Sequence, residues 1–204
     1  MNTDSDQFTT LRAPARASLT VRGSKFLSRA IPVEGKRGCE EAVDRARKEY
    51  FDATHHCYAW RLAPDGAQFR ANDDGEPSGT AGKPILASID GAGLLGVIVV
   101  VTRYFGGTKL GTAGLARAYR QAAERALAGG ERLTRYVCGT LSVAFAHGSI
   151  GPVMRAVAAT GGRVVSSEYA GEVSMEIEIR RSRMEHLRSA LIEGTRGAVR
   201  FTQR

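Results

Sequence analysis

No stretch of this sequence stays apolar for long. The longest such run, Leu94 to Val101 with Gly96 inside it, is far short of the roughly 20 residues a membrane helix requires, so no membrane span is expected. Cysteine is scarce as well. Cys39, Cys57 and Cys138 are far apart and odd in number, which argues against a disulfide framework and for free thiols in a reducing compartment, the cytoplasm. The opening MNTDSDQFTT is polar and acidic, so neither a secretory signal nor a transit peptide is expected there, and residues 1–15 read as a disordered start. Metal-ligand spacing is missing too. His55, His56 and Cys57 adjoin, but neighbouring strand positions point apart and no second His/Cys cluster lies nearby, so neither a metal nor another cofactor is expected.

What remains is a chain of 204 residues, 43% hydrophobic and 25% charged, enough for one large domain or two small ones with real cores. The formal net charge of +8 favours acidic partners, nucleic acid first among them. That excess is spread evenly. Nineteen basic and 15 acidic side chains occur up to Thr134, and ten and six follow it, leaving +4 on each side.

The most informative stretch runs from Gly96 to Tyr119. Val97 to Val101 is β-branched throughout, the pattern of a strand covered on both faces. It breaks at Gly106-Gly107 and resumes as a helix with Leu115, Ala118, Tyr119, Ala122 and Ala126 on one stripe. A strand, a glycine turn and a helix start beside Arg103 and Lys109 would suit a phosphate. The other reading is a tight turn whose glycines allow close packing and whose cations are solvated.

Before this stretch, Ala17–Val21 and Phe26–Val33 read as a hairpin around Arg22, Gly23 and Ser24, and Cys39, Ala42, Val43, Ala46 and Tyr50 mark a surface helix. His55 to Trp60 favours a strand, with His55, Cys57 and Ala59 on one face and His56, Tyr58 and Trp60 on the other. Then comes a long loop from Arg70 to Pro84. Gly79 to Lys83 departs from a nucleotide P-loop, since Pro77 and Pro84 stand where that motif needs glycine and a hydroxyl residue. The loop's acids, Asp73, Asp74 and Glu76, could hold a cation or move protons, or could simply shape turns.

The chain after Thr134 reads as a second unit in the order β-α-β-β-α-β, a ferredoxin-like arrangement. Ser182 and Glu185 are spaced as a capping box for its second helix, which would bury Met184, Leu187, Leu191 and Ile192. The outward positions of one strand are Ser174, Glu176, Glu178 and Arg180. With two carboxylates and no aromatic, that strand suits packing or a protein partner better than stacked RNA bases.

The run Gly91, Leu94, Leu95, Arg103, Tyr104, Phe105, Gly106, Gly107, Leu110 and Gly111, with His56 to Ala59 and Asp74 to Gly82, resembles the signature of the IMPACT family in its bacterial, YigZ-like form. The resemblance is strong over residues 16–130. It implies an α+β protein of two domains: residues 16–133 similar to the second domain of a small-subunit ribosomal protein, and residues 134–204 ferredoxin-like, similar to the last domain of elongation factor G. Eukaryotic members regulate translation by engaging the activator of an initiation-factor kinase and carry an additional N-terminal domain to which the resemblance does not extend, so their partner is not carried over.

Residues and resemblance together lead to the expectation of a cytoplasmic RNA-binding or ribosome-associated protein with a role in regulating translation. Arg103, Gly106, Gly107, Lys109 and Arg117 would meet phosphate, and Tyr104 or Phe105 would stack on bases. Two alternatives stand beside it. One is a small-substrate enzyme in which His56, Asp74, Glu76 and Lys83 converge, though no complete catalytic motif supports it. The other is a protein-interaction module acting through the second domain.

Overall fold

A computed structural model of the chain describes residues 6–202. It divides into two compact units, Phe8–Arg135 and residues 136–202 together with residues 6 and 7. The protein is α+β, with a separate hydrophobic core in each unit.

The first unit is built on a five-stranded sheet. Its strands are β2 (Ala15–Val21), β3 (Ser24–Pro32), β4 (His55–Arg61), β5 (Phe69–Asn72) and β6 (Val97–Tyr104), in the order β2-β3-β6-β4-β5. Neighbouring strands pair antiparallel. β6 is the middle strand. Its unbroken apolar run follows from having both faces covered: Val97, Val99 and Val101 enter one core, and Ile98 and Val100 enter another. Helices α2 (Gly82–Ala92) and α3 (Gly111–Ala128) cover the first face, and α1 (Lys36–Glu49) covers the second with Cys39, Ala42, Val43 and Ala46. Burial pushes the Cys39 thiol up to about 11, so it remains a thiol inside this layer.

The expected disordered start needs correction in part. Residues 1–5 lie outside the described residues, but β1 (Gln7–Leu11) pairs with β7 (Arg132–Tyr136) in a two-stranded sheet. Leu11 is buried in the first core, and the Thr10 hydroxyl donates to the Gly96 carbonyl at 3.2 Å. The local sequence is polar, yet one buried leucine and a remote partner strand fix it.

The second unit is β8 (Cys138–Phe145), α4 (Ile150–Thr160), β9 (Arg163–Tyr169), β10 (Val173–Arg180), α5 (Met184–Gly194) and β11 (Arg200–Thr202). The sheet order β11-β8-β10-β9 completes the βαββαβ pattern. Leu141, Val143, Met175, Ile177 and Ile179 share its core with Val153, Val157, Leu187 and Leu191. Ser182 is not a cap for α5. Its hydroxyl donates to the Asp6 carboxylate at 2.6 Å, a bond that draws that carboxyl below its usual range, and α5 starts at Met184 without a side-chain cap. Ile192, expected inside, is exposed.

Candidate functional site

Most of the signature residues gather where β6 ends and β3 and β4 begin, together with two loops that each lead into a helix. Residues 73–81 precede α2 and residues 105–110 precede α3. Both are rich in glycine and polar residues, and they are put to opposite uses.

The loop before α2 turns its acids inward. One Asp73 carboxylate oxygen accepts the Ala81 and Gly82 N–H groups at 2.9 and 2.8 Å, and the other accepts Gly79 N–H at 2.8 Å. Burial pushes the Asp73 carboxyl up, but these donors, with Lys83 nearby, bring it below the usual carboxylate range. Asp74 takes the backbone N–H of His56 at 2.7 Å and Arg47 at 2.8 Å. Glu76 is the deepest. With its side chain only 3% exposed, it accepts Arg103 Nη1 at 2.6 Å and the Tyr119 hydroxyl at 2.7 Å.

That carboxylate organises a closed network. Arg103 Nη2 also donates to Ser24 Oγ at 3.2 Å, which accepts Gly106 N–H at 3.1 Å. Its guanidinium lies 5.5 Å from the ring centres of both Phe26 and Phe105. The Cys57 thiol sits 3.0 Å from the Asp73 carbonyl and 3.3 Å from the Tyr119 hydroxyl. Burial pushes both the thiol and the phenol far up, so each keeps its proton at neutral pH. A thiolate nucleophile has no support here.

Two expectations are therefore corrected. Arg103, read as an exposed cation for phosphate, has a side chain only 6% exposed and already carries a buried ion pair; its place on β6, opposite Phe26 of β3, turns it inward. His56 and Glu76 do not share a cleft. Strand alternation puts His55 and Cys57 on the Glu76 side, with His55 Nε2 3.9 Å from Glu76 and Nδ1 donating to the Asp74 carbonyl at 2.8 Å. His56 faces the α1 side, its Nδ1 3.0 Å from Thr102 Oγ1. Burial lowers its pKa, with Asp74 opposing, which leaves it neutral at pH 7. Lys83 is exposed in the first turn of α2 beside Gly79, apart from any such constellation. The four candidate catalytic residues thus do not converge, and among the described residues no His/Cys/Asp/Glu group could hold a metal.

The loop before α3 faces outward. Phe105, Gly106, Gly107, Thr108 and Lys109 are exposed, and α3, 18 residues long, starts without a side-chain cap. Its orphan N–H groups are left to solvent or a ligand. The two glycines differ in role. A Cβ on Gly106 would lie 1.9 Å from the Gly23 carbonyl carbon, so Gly106 lets this loop and the β2–β3 turn touch. A Cβ on Gly107 would meet nothing, but φ is +82°, a value that favours glycine. Lys109 and Arg117 are exposed and join no ion pair among the described residues, as do Arg22 and Lys25 on the adjoining turn and strand.

Two other surfaces are less selective. An open groove of ≈ 510 Å³ between α1 and β4–β5 is lined by Tyr58, Trp60 and Arg70 but sets Lys36 and Arg47 against Glu40 and Asp44. On the open face of the second unit, Arg163 pairs with Glu178 at 3.0 Å and Ser166 donates to Glu176 at 3.0 Å, so the two carboxylates expected to meet a basic partner are matched internally.

A family model of the Impact N-terminal domain matches residues 22–127, and one described as a domain of unknown function, DUF1949, matches residues 143–198. The IMPACT family member YigZ of Escherichia coli is 32% identical over 193 residues, 93% of this chain and 94% of that protein. An IMPACT family member of Thermus thermophilus is 46% identical over 109 residues, 52% of this chain and 56% of its own length. The crystal structure of a hypothetical protein superposes with a TM-score of 0.75 at 28% identity, covering 98% of each chain.

Proposed function

The chain belongs to the IMPACT family, and from that premise we propose that it binds RNA, free or within the ribosome, as a regulator of translation. The observation that carries this reading is the start of α3: an uncapped 18-residue helix, entered through an exposed glycine loop with Lys109 on it. Oriented N–H groups and a positive helix end receive phosphate oxygens, and the exposed cations around them neutralise neighbouring phosphates. Family membership, linked to regulation of translation, and the net charge of +8 point to the same partner. Buried Arg103 serves by holding the loop through Ser24 and Glu76, and does not contact phosphate itself.

The test is equilibrium binding of the purified chain to RNA and to ribosomal subunits over a salt series. Affinity is expected to fall linearly on a log–log plot, with a slope set by the number of phosphates neutralised. Absence of salt-sensitive binding to single-stranded RNA, duplex RNA and ribosomes alike would sink the proposal.

A further inference from the structure

The loop between α1 and β4 brings to this end of the sheet an aromatic side chain that no motif marks. Phe51 is 84% exposed, and its loop is tied to the outlet of β6 by three hydrogen bonds. Thr54 N–H donates to the Arg103 carbonyl at 2.9 Å, Phe105 N–H donates to Thr54 Oγ1 at 3.2 Å, and the Tyr104 hydroxyl donates to Asp52 at 2.8 Å. Phe51 thus adjoins Asp52 in a loop anchored at the end of β6, where Phe105 is 48% exposed. Lys25 is the Cα partner of Tyr104 across the β3–β6 ladder, and Lys48 lies in the last turn of α1. Neither lysine joins an ion pair among the described residues, and the exposed Asp52 carboxylate accepts the Tyr104 hydroxyl.

Exposed aromatics interleaved with unpaired cations are the recipe for holding a nucleic-acid strand whose bases are free: rings stack on base faces while ammonium groups track the backbone. A duplex keeps its bases inside and offers side-chain rings no face to stack on. We infer that this end of the first unit selects unpaired nucleotides, with Phe51 and Phe105 as base-stacking platforms and Lys25, Lys48 and Lys109 along the backbone. The inference rests on the RNA-binding reading above and narrows it to single strands.

The full chain would be titrated, by fluorescence anisotropy, into a labelled oligouridylate and into a blunt-ended RNA duplex of equal phosphate number. The single strand should bind more tightly, and Phe51→Ala and Phe105→Ala should each weaken it roughly tenfold while leaving duplex binding unchanged. Phe51→Trp should retain wild-type affinity and Phe51→Leu should not, because leucine keeps apolar area but has no ring. If Phe51→Leu binds as wild type does, the ring is an apolar contact for a protein segment and the inference is overturned. If Lys25→Ala and Lys109→Ala weaken binding while both phenylalanine variants do not, the platform is wrong and the RNA reading stands. No binding of either RNA overturns both.

Discussion

Residues 73–81 and residues 105–110 are two glycine-containing loops of one unit, each leading into a helix, and they handle charge in opposite ways. The first supplies its own anion: Asp73 satisfies the start of α2, and Glu76 goes beneath it to neutralise Arg103. The second supplies none, and leaves the start of α3 open beside Lys109. A helix start that carries its own carboxylate has no use for an external phosphate, whereas an uncapped one has N–H groups free to receive one. What separates them is the burial of particular side chains, which residue types alone do not reveal.

The largest effect is expected on removing the buried anion. Glu76→Ala leaves the Arg103 guanidinium and the Tyr119 hydroxyl without their acceptor in a site almost closed to water. Losing one partner of a buried ion pair costs about 3–5 kcal/mol, and Arg103→Ala should cost a similar amount for the mirror reason. Urea unfolding at constant m would measure both. If either variant lost less than about 1 kcal/mol, the inward loop would not be the structural half of the site. Replacing both with apolar residues, Arg103→Met with Glu76→Leu, should recover much of the loss, because no charge is then left stranded.

The next effect is smaller and depends on pH. Asp73→Ala removes an acceptor for three N–H groups around the start of α2 and should cost about 2 kcal/mol near neutral pH. In the folded protein this carboxyl is held below its ordinary value, so as pH falls the unfolded chain binds the proton first. Its contribution is then complete above the unfolded pKa of about 3.9 and disappears as pH drops through the lower folded value. Wild type and variant should converge in stability on acidification. A gap that stayed constant into the acid range would show that the contribution is not electrostatic.

Much of this is legible in the sequence. The β-branched run at Val97 to Val101 marked the central strand because period and composition agreed, and the alternation in Val173, Met175, Ile177 and Ile179 marked β10 for the same reason. Gly106, Gly107 and Lys109 were marked as a turn at a helix start, which they form. Arg103 was misplaced because sequence proximity to Lys109 suggested a shared surface, whereas strand alternation puts it opposite Phe26 and under Glu76. Residue types alone do not separate His56 from His55: the register of β4 decides which histidine faces Glu76. Phe51 carried no signal at all. A lone aromatic after a helix has no period, and only the hydrogen bonds of Asp52 and Thr54 to β6 and its outlet reveal its neighbours.

The smallest change to stability should come from the outward loop. Lys109 is exposed and joins no ion pair among the described residues, so Lys109→Ala should shift the unfolding free energy by less than about 0.5 kcal/mol. Its effect belongs to binding. Removing one phosphate contact should lower the magnitude of the log–log salt slope by about one, nearly uniformly across RNA sequences, because a lysine reads charge and not bases. The pair of measurements separates the loops in one experiment: Glu76→Ala moves stability strongly, whereas Lys109→Ala moves the salt slope and leaves stability in place. If Lys109→Ala left the slope unchanged, the open start of α3 would be a solvated helix end, and the phosphate site would have to be sought elsewhere on the chain.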